Sequence, residues 1–189
     1  MVPKEYYGRL FTKEQLPVNY HPEALTLESM IKVDKQLRCK RCYSWIEEDW
    51  QLPGGQYYCR ACIVFGRNQE GKELYYFPSK TSEIEFPVLK WFGELTPYQA
   101  KVSEKLLRTY QKQKDSLVHA VTGAGKTEMI YNIVAYVLEN KGHVAIASPR
   151  VDVCRELFLR MKREFTCSIS LLHAESEPYD GSPLVIATT

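Results

Sequence analysis

Between His119 and Ile130 the chain reads HAVTGAGKTEMI, and this twelve-residue stretch restricts the fold more than any other. A glycine loop ending in Lys-Thr acquires meaning when a buried strand precedes it and a helix follows. Its backbone N–H groups then converge on an anion, and the helix dipole adds positive potential. Gly123 and Gly125 let the backbone approach phosphates closely and take unusual torsions. Lys126 suits the β- and γ-phosphates of ATP, and the Thr127 hydroxyl suits Mg²⁺, so these two are the candidate catalytic residues. Thr122, Gly123, Ala124, Gly125, Lys126 and Thr127 form the candidate nucleotide site. The plainer alternative is a glycine-containing turn carrying a surface lysine.

The flanks supply the required context. SLVHAV (116–121) reads as a short buried strand. EMIYNIVAYVLEN reads as a helix with Ile130, Ile133, Val134, Val137 and Leu138 as its apolar stripe, and Gly142 stands past its end as a stop. HVAIA is a second strand. Residues 152–165 form a further helix with Cys154, Leu157, Phe158, Met161 and Phe165 on one side, followed by strands in SISLLH and LVIAT. Upstream, Thr96 caps a helix whose first residue is Pro97, and Val102, Leu106 and Tyr110 share its face. Alternating strands and helices are the grammar of an α/β fold, a parallel sheet with crossover helices, here over residues 91–189.

The first half follows different rules. Cys39-x-x-Cys42 and Cys59-x-x-Cys62 are separated by sixteen residues, a spacing suited to a structural Zn²⁺ on four thiolates, one ion per chain. A redox Cys-x-x-Cys needs one pair and a βαβ setting, and two disulfides need an oxidising compartment. Cys154 and Cys167 read as core residues. Residues 37–90 are then a small four-cysteine zinc module with its connector, with a hairpin turning at Pro53-Gly54-Gly55, a strand in KELYYF and a connector over residues 78–87. Residues 1–36, with prolines at 3, 17 and 22, read as an irregular arm. Arg38, Lys40, Arg41 and Arg60 crowd the cysteine pairs among Tyr43, Trp45, Trp50, Tyr57 and Tyr58. Cations and aromatics together can hold single-stranded DNA, although Glu47, Glu48 and Asp49 would repel it. Protein docking, or an aromatic hairpin core with solvated cations, fits the same residues.

Composition narrows the field. Hydrophobic residues make up 44% and charged residues 25%, which is globular, and the net charge of +2 excludes a strong general attraction for nucleic acid. Any nucleic-acid contact must come from local placement of cations. No apolar run reaches membrane-spanning length, and MVPKEYYGRLF lacks a signal core, so a cytoplasmic location is expected.

The loop reads Ala120-Val121-Thr122-Gly123-Ala124-Gly125-Lys126-Thr127, with alanine in the usual first-glycine slot, and it resembles motif I of superfamily 2 helicases and translocases. LTPYQ (95–99) resembles the element whose glutamine reads adenine, which assigns that role to Gln99. Thr96-x-x-Gln99 is equally a capping box. ASPR (147–150) and IATT (186–189) resemble later motifs that touch the nucleic-acid backbone, implying DNA contacts at Arg150 and Thr188. YYCRAC, LVHAVTGAGKTEMIY, ASPRVDVC and LLHAESEPY are very similar to the ComFA family of competence proteins, the ATP-driven DNA-uptake motors. That resemblance implies a RecA-like P-loop domain preceded by the zinc module. It also implies single-stranded DNA and ComFC as partners, and a place beside the uptake machinery at the inner face of the cell membrane. Self-association is compatible with it. No Asp-Glu dipeptide follows the loop, so residues 1–189 are expected to be the first part of a motor, inactive alone. A zinc adaptor with a nucleotide switch, a PriA-like replication-restart helicase and a metabolic P-loop kinase are the competing readings.

Overall fold

A computed structural model describes residues 2–17, 22–78, 84–176 and 179–189. They form two compact units, Met1–Lys80 and Thr81–Thr189. This division differs from the expected one, which set residues 1–36 apart as an arm, and the connector expected over residues 78–87 lies partly outside the described residues.

In the first unit, β1 (Arg9–Thr12), β2 (Leu25–Glu28), β3 (Met30–Val33), β4 (Gln36–Cys39) and β5 (Glu73–Phe77) form two antiparallel sheets. The larger has β5 at its centre, with Phe11 opposite Tyr75 on one side and Thr26 opposite Tyr75 on the other. Val2, Phe11, Leu16, Tyr75 and Phe77 make its core, with the Tyr6 ring 4.8 Å from that of Phe11. Among its described residues, the expected arm therefore contributes strands to a sheet. Its four-residue strands are too short to show a period, and their partner lies far downstream, so no local signal reveals the pairing.

The smaller sheet is the hairpin β3–β4, with Met30 opposite Cys39. Its turn holds Asp34 and Lys35 at φ of 48° and 71°. Tight hairpin turns prefer glycine at such torsions, so Asp-Lys gave no turn signal. The hairpin delivers Cys39 to the cysteine cluster and moves the start of this module back to Met30. Between the cysteine pairs, Leu52 N–H donates to the Gln56 carbonyl (2.8 Å) around Pro53-Gly54-Gly55. That turn is flanked by an isolated Gln51–Tyr57 bridge rather than by the extended hairpin expected.

The second unit contains α1 (Pro97–Gln111), α2 (Lys126–Glu139), β6 (Val144–Ser148), α3 (Val151–Glu164), β7 (Ile169–Leu172) and β8 (Leu184–Thr188). The sheet is parallel in the order β6-β8-β7, with Leu184 paired to both Val144 and Ile169. Tyr131, Val134 and Leu138 of α2 meet Cys154 and Met161 of α3, Phe165, and Leu184 and Ile186 of β8 in one core. Burying a side chain such as Leu138 stabilises the unit by about 2–3 kcal/mol. The helix α2 ends in a Schellman motif: Lys141 N–H donates to the Leu138 carbonyl (2.9 Å) and Gly142 N–H to that of Val137 (2.8 Å). The left-handed residue is Lys141, at φ 60°, not Gly142. Gly142 is needed because a Cβ there would lie 2.9 Å from the Val137 carbonyl oxygen.

One expected strand does not form. Residues 116–121 carry no strand, and Leu117 is 96% and Val121 78% exposed. A strand needs a partner edge, and among the described residues none pairs with this segment. Leu117 and Val118 instead border a 350 Å³ groove with Val102 and Leu106 of α1. The most buried residue of α1 is Ser103, whose hydroxyl accepts from Asn132 Nδ2 of α2 (3.2 Å).

Candidate nucleotide and metal sites

The glycine loop sits at the N-terminus of α2. Gly125 is its N-cap, in the left-handed region at φ 73°, and Gly123 lies at φ 80°. No side chain caps this fourteen-residue helix, so the first N–H groups of α2 face the loop mouth, as a phosphate cradle requires. Lys126 Nζ donates to the carbonyls of Ala120 (2.8 Å) and Val121 (2.7 Å), which holds the ammonium against the loop. Thr127 is half-buried in the first turn, while Thr122 is exposed and Ala124 half-buried. The donor set fits a nucleotide: Gly123 to Thr127 would hold phosphates and Thr127 a Mg²⁺ ligated by them.

Gln99 joins this loop from α1. Its Oε1 accepts from Thr96 N–H (2.9 Å), and Gln99 N–H donates to Thr96 Oγ1, a complete capping box. Its Nε2 donates to the Ala124 carbonyl (3.0 Å), and a Cβ at Gly125 would collide with that nitrogen. One side chain thus completes a helix cap and tethers the loop. Gln99→Ala is expected to lower the stability of the second unit by about 1–2 kcal/mol, as lost caps do, measured by thermal unfolding. If Gln99 also reads adenine, the same variant loses discrimination of ATP from GTP.

A contact missed in the sequence lies just behind the loop. Glu128, in the first turn of α2, pairs with Arg160 of α3 (3.2 Å), which also holds Glu156 (2.9 Å). An acid in a first turn is ordinary dipole chemistry, so nothing in the sequence pointed to its cross-helix partner. Of the expected DNA contacts, Thr188 ends the central strand β8, and Arg150 lies two residues past the end of the neighbouring strand β6. Ser148 pairs with Thr188, and Thr189 N–H donates to the Ser148 carbonyl (3.2 Å). Arg150 is exposed and pairs with Asp152 (2.5 Å).

In the first unit, the four sulfurs of Cys39, Cys42, Cys59 and Cys62 lie within 4.8 Å of one another. Cys39 and Cys62 are 3.8 Å apart, Cys42 and Cys59 3.5 Å. A tetrahedral site with Zn–S of about 2.3 Å places its sulfurs about 3.8 Å apart, so the cluster fits that ion. Burial pushes the Cys59 and Cys62 thiols up, while Cys42, despite its burial, is held down to about 6 by hydrogen bonds with Ser44 and Cys59. The cluster is compatible with a metal ion, whose charge would favour the thiolate form that burial opposes at Cys59 and Cys62. The remaining cysteines are packed in the second unit: Cys154 is fully buried with its thiol on the Ala187 carbonyl (3.2 Å), and Cys167 is half-buried.

The four cations near the cluster have different surroundings. The Arg38 guanidinium lies over the rings of Tyr43 (5.4 Å) and Trp45 (5.2 Å). Arg60 lies over Tyr58 (5.7 Å) and pairs with Asp49 (3.1 Å). Lys40 is half-buried. Arg41 points inward, its guanidinium on the carbonyls of Cys62 (2.8 Å) and Phe65 (2.7 Å).

A parallel sheet with crossover helices and a glycine loop at a helix N-terminus fits the P-loop, helicase-like class. A family model described as "Type III restriction enzyme, res subunit" matches residues 92–181. The chain belongs to the ComFA family. It is 53% identical over 188 residues to competence protein ComFA of Streptococcus pneumoniae, covering 98% of this chain and 43% of that protein. To competence protein ComFA of Bacillus subtilis it is 33% identical over 190 residues, covering 95% and 40%. It is also similar to replication restart protein PriA of Helicobacter pylori, 32% identical over 69 residues, covering 36% of this chain and 11% of that protein. No solved structure matches. The chain spans less than half the length of its ComFA relatives. No helix among the described residues is long and apolar enough to cross a membrane.

Proposed function

We propose that this chain supplies the nucleotide cradle and the metal-held module of an ATP-driven motor that moves single-stranded DNA during its uptake by competent cells. The observation that carries this reading is the loop Gly123–Thr127 opening α2, with Lys126 held over it, in a chain of the ComFA family. ATP would supply the phosphoryl chemistry and Mg²⁺ its charge neutralisation. Lys126 and the first N–H groups of α2 hold the phosphates, Thr127 offers the hydroxyl ligand, and Gln99 sets the loop and faces the base. Zn²⁺ on Cys39, Cys42, Cys59 and Cys62 holds the first module in shape. Arg150 and Thr188 meet the DNA backbone past the C-terminal ends of β6 and β8, and Arg38, Lys40 and Arg60 add contacts from the module. For Arg41, bonded inward to three main-chain carbonyls, a DNA contact is the least supported of the set. ComFC, the uptake machinery at the inner face of the membrane, and self-association belong to the same reading.

The test measures nucleotide binding and hydrolysis. A full-length protein carrying this chain is expected to hydrolyse ATP faster with single-stranded DNA. Residues 1–189 alone are expected to hydrolyse none, because the cradle holds one Mg²⁺ ligand and no Asp-Glu carboxylates follow the loop to orient water. DNA-stimulated turnover by residues 1–189 would show that the chain has a complete engine. Failure of the full-length protein to bind ATP would reject the cradle.

A further inference from the structure

Among the described residues, Arg41 and Asn68 bring N–H groups to the cysteine sulfurs, and the Ser44 hydroxyl meets Cys42 Sγ (3.4 Å). Arg41 Nε and Nη2 lie 3.3 and 3.1 Å from Cys62 Sγ. The same guanidinium donates to the carbonyls of Cys62, Phe65 and Gly66, so it clamps the turn that follows the second cysteine pair. Asn68, 1% exposed, donates Nδ2 to Cys39 Sγ (3.2 Å) and to the Ser29 carbonyl (2.9 Å). Its main-chain carbonyl accepts from Cys59 N–H (2.9 Å). Asn68 Oδ1 is buried without a partner among the described residues. Turning the amide over would set that oxygen against the Ser29 carbonyl and the Cys39 sulfur, two acceptors once the sulfur is a thiolate. The adopted orientation leaves an acceptor orphaned and keeps an N–H on the sulfur, which is the arrangement a charged sulfur demands.

A divalent ion on four thiolates keeps a net negative charge, and this one is walled by Met30 and Ile46. Such a charge is costly in an apolar wall, and a sulfur that carries it attacks electrophiles readily. We propose that Arg41 and Asn68 are the outer layer of the metal centre, drawing charge from Cys62 and Cys39 so that both stay on the metal and resist oxidants and alkylating reagents. The inference rests on reading the cluster as a zinc site, and it places Arg41 with the metal rather than with DNA. Both residues act through the cysteines and are positioning residues.

The experiment uses the full-length protein loaded with zinc or with cobalt. Zinc release during treatment with hydrogen peroxide is followed with a chromophoric chelator. Arg41→Met is expected to speed release about tenfold, the scale on which outer-layer partners act, Asn68→Leu to speed it measurably, and Arg41→Lys to recover part of the loss. In the cobalt protein, the sulfur-to-cobalt charge-transfer band is expected to move to lower energy in Arg41→Met and Asn68→Leu, because each loses an N–H on sulfur. A merely mechanical clamp would change release and leave the band in place. An unmoved band in both variants, with metal bound, overturns the proposal. Should Arg41→Met not fold, Arg41→Lys and Asn68→Leu carry the same comparison. Wild-type protein that takes up neither ion rejects the zinc reading itself.

Discussion

Lys126→Ala is expected to abolish ATP turnover by the full-length protein, with a fall of at least about two to three orders of magnitude, the scale on which removing one preorganised charge acts. The ammonium stands over the loop mouth on the Ala120 and Val121 carbonyls, beside the uncapped N-terminus of α2. On the proposed reading, this charge would follow the negative charge that develops as the terminal phosphoryl leaves. The lysine is exposed and makes no contact with the core, so the fold should survive, and circular dichroism separates lost chemistry from lost structure. Near-normal turnover in a folded variant would reject the assignment of the loop.

The second large effect concerns the metal module. Cys59→Ser, or removal of zinc with a strong chelator, is expected to unfold the part of the first unit built around the cysteines. Structural zinc contributes about 10–16 kcal/mol in small modules. The apolar cluster here, Met30 and Ile46 with the cysteines themselves, cannot replace that. Hydrogen exchange should show lost protection from β3 through Asn68. The core of Tyr131, Leu138, Met161 and Ile186 should keep its protection, because it belongs to the other compact unit. Loss of protection at Leu138 together with that at Cys39 would show that the two units fold as one.

Both predictions depend on features written locally in the chain. Thr96 and Pro97 start α1 as expected, because a cap and a first-turn proline act within one turn. Along the expected stripe of α3, Cys154, Met161 and Phe165 are buried and Leu157 and Phe158 half-buried, since helical periodicity needs no knowledge of the partner. The cysteine pairs converge because two residues between ligands set their geometry. The glycine loop opens α2 for the same kind of reason.

Other features depend on partners distant in the chain. Residues 9–12 and 25–28 become strands because β5 is there to pair with them. Residues 116–121, with a better apolar pattern, form none because no described strand pairs with them. The position of β8 between β6 and β7 is a matter of which edges meet, and that leaves no periodicity to read. Arg41 and Gln99 show the same at the level of single side chains. Their identity told of a cation and an amide, but a long side chain reaches as far toward Cys62 or Ala124 as toward solvent. Backbone propensity, capping and ligand spacing act over a few bonds and survive in the linear chain. Strand pairing and the direction of long side chains are settled by which buried groups need partners, and those groups meet once the chain has folded.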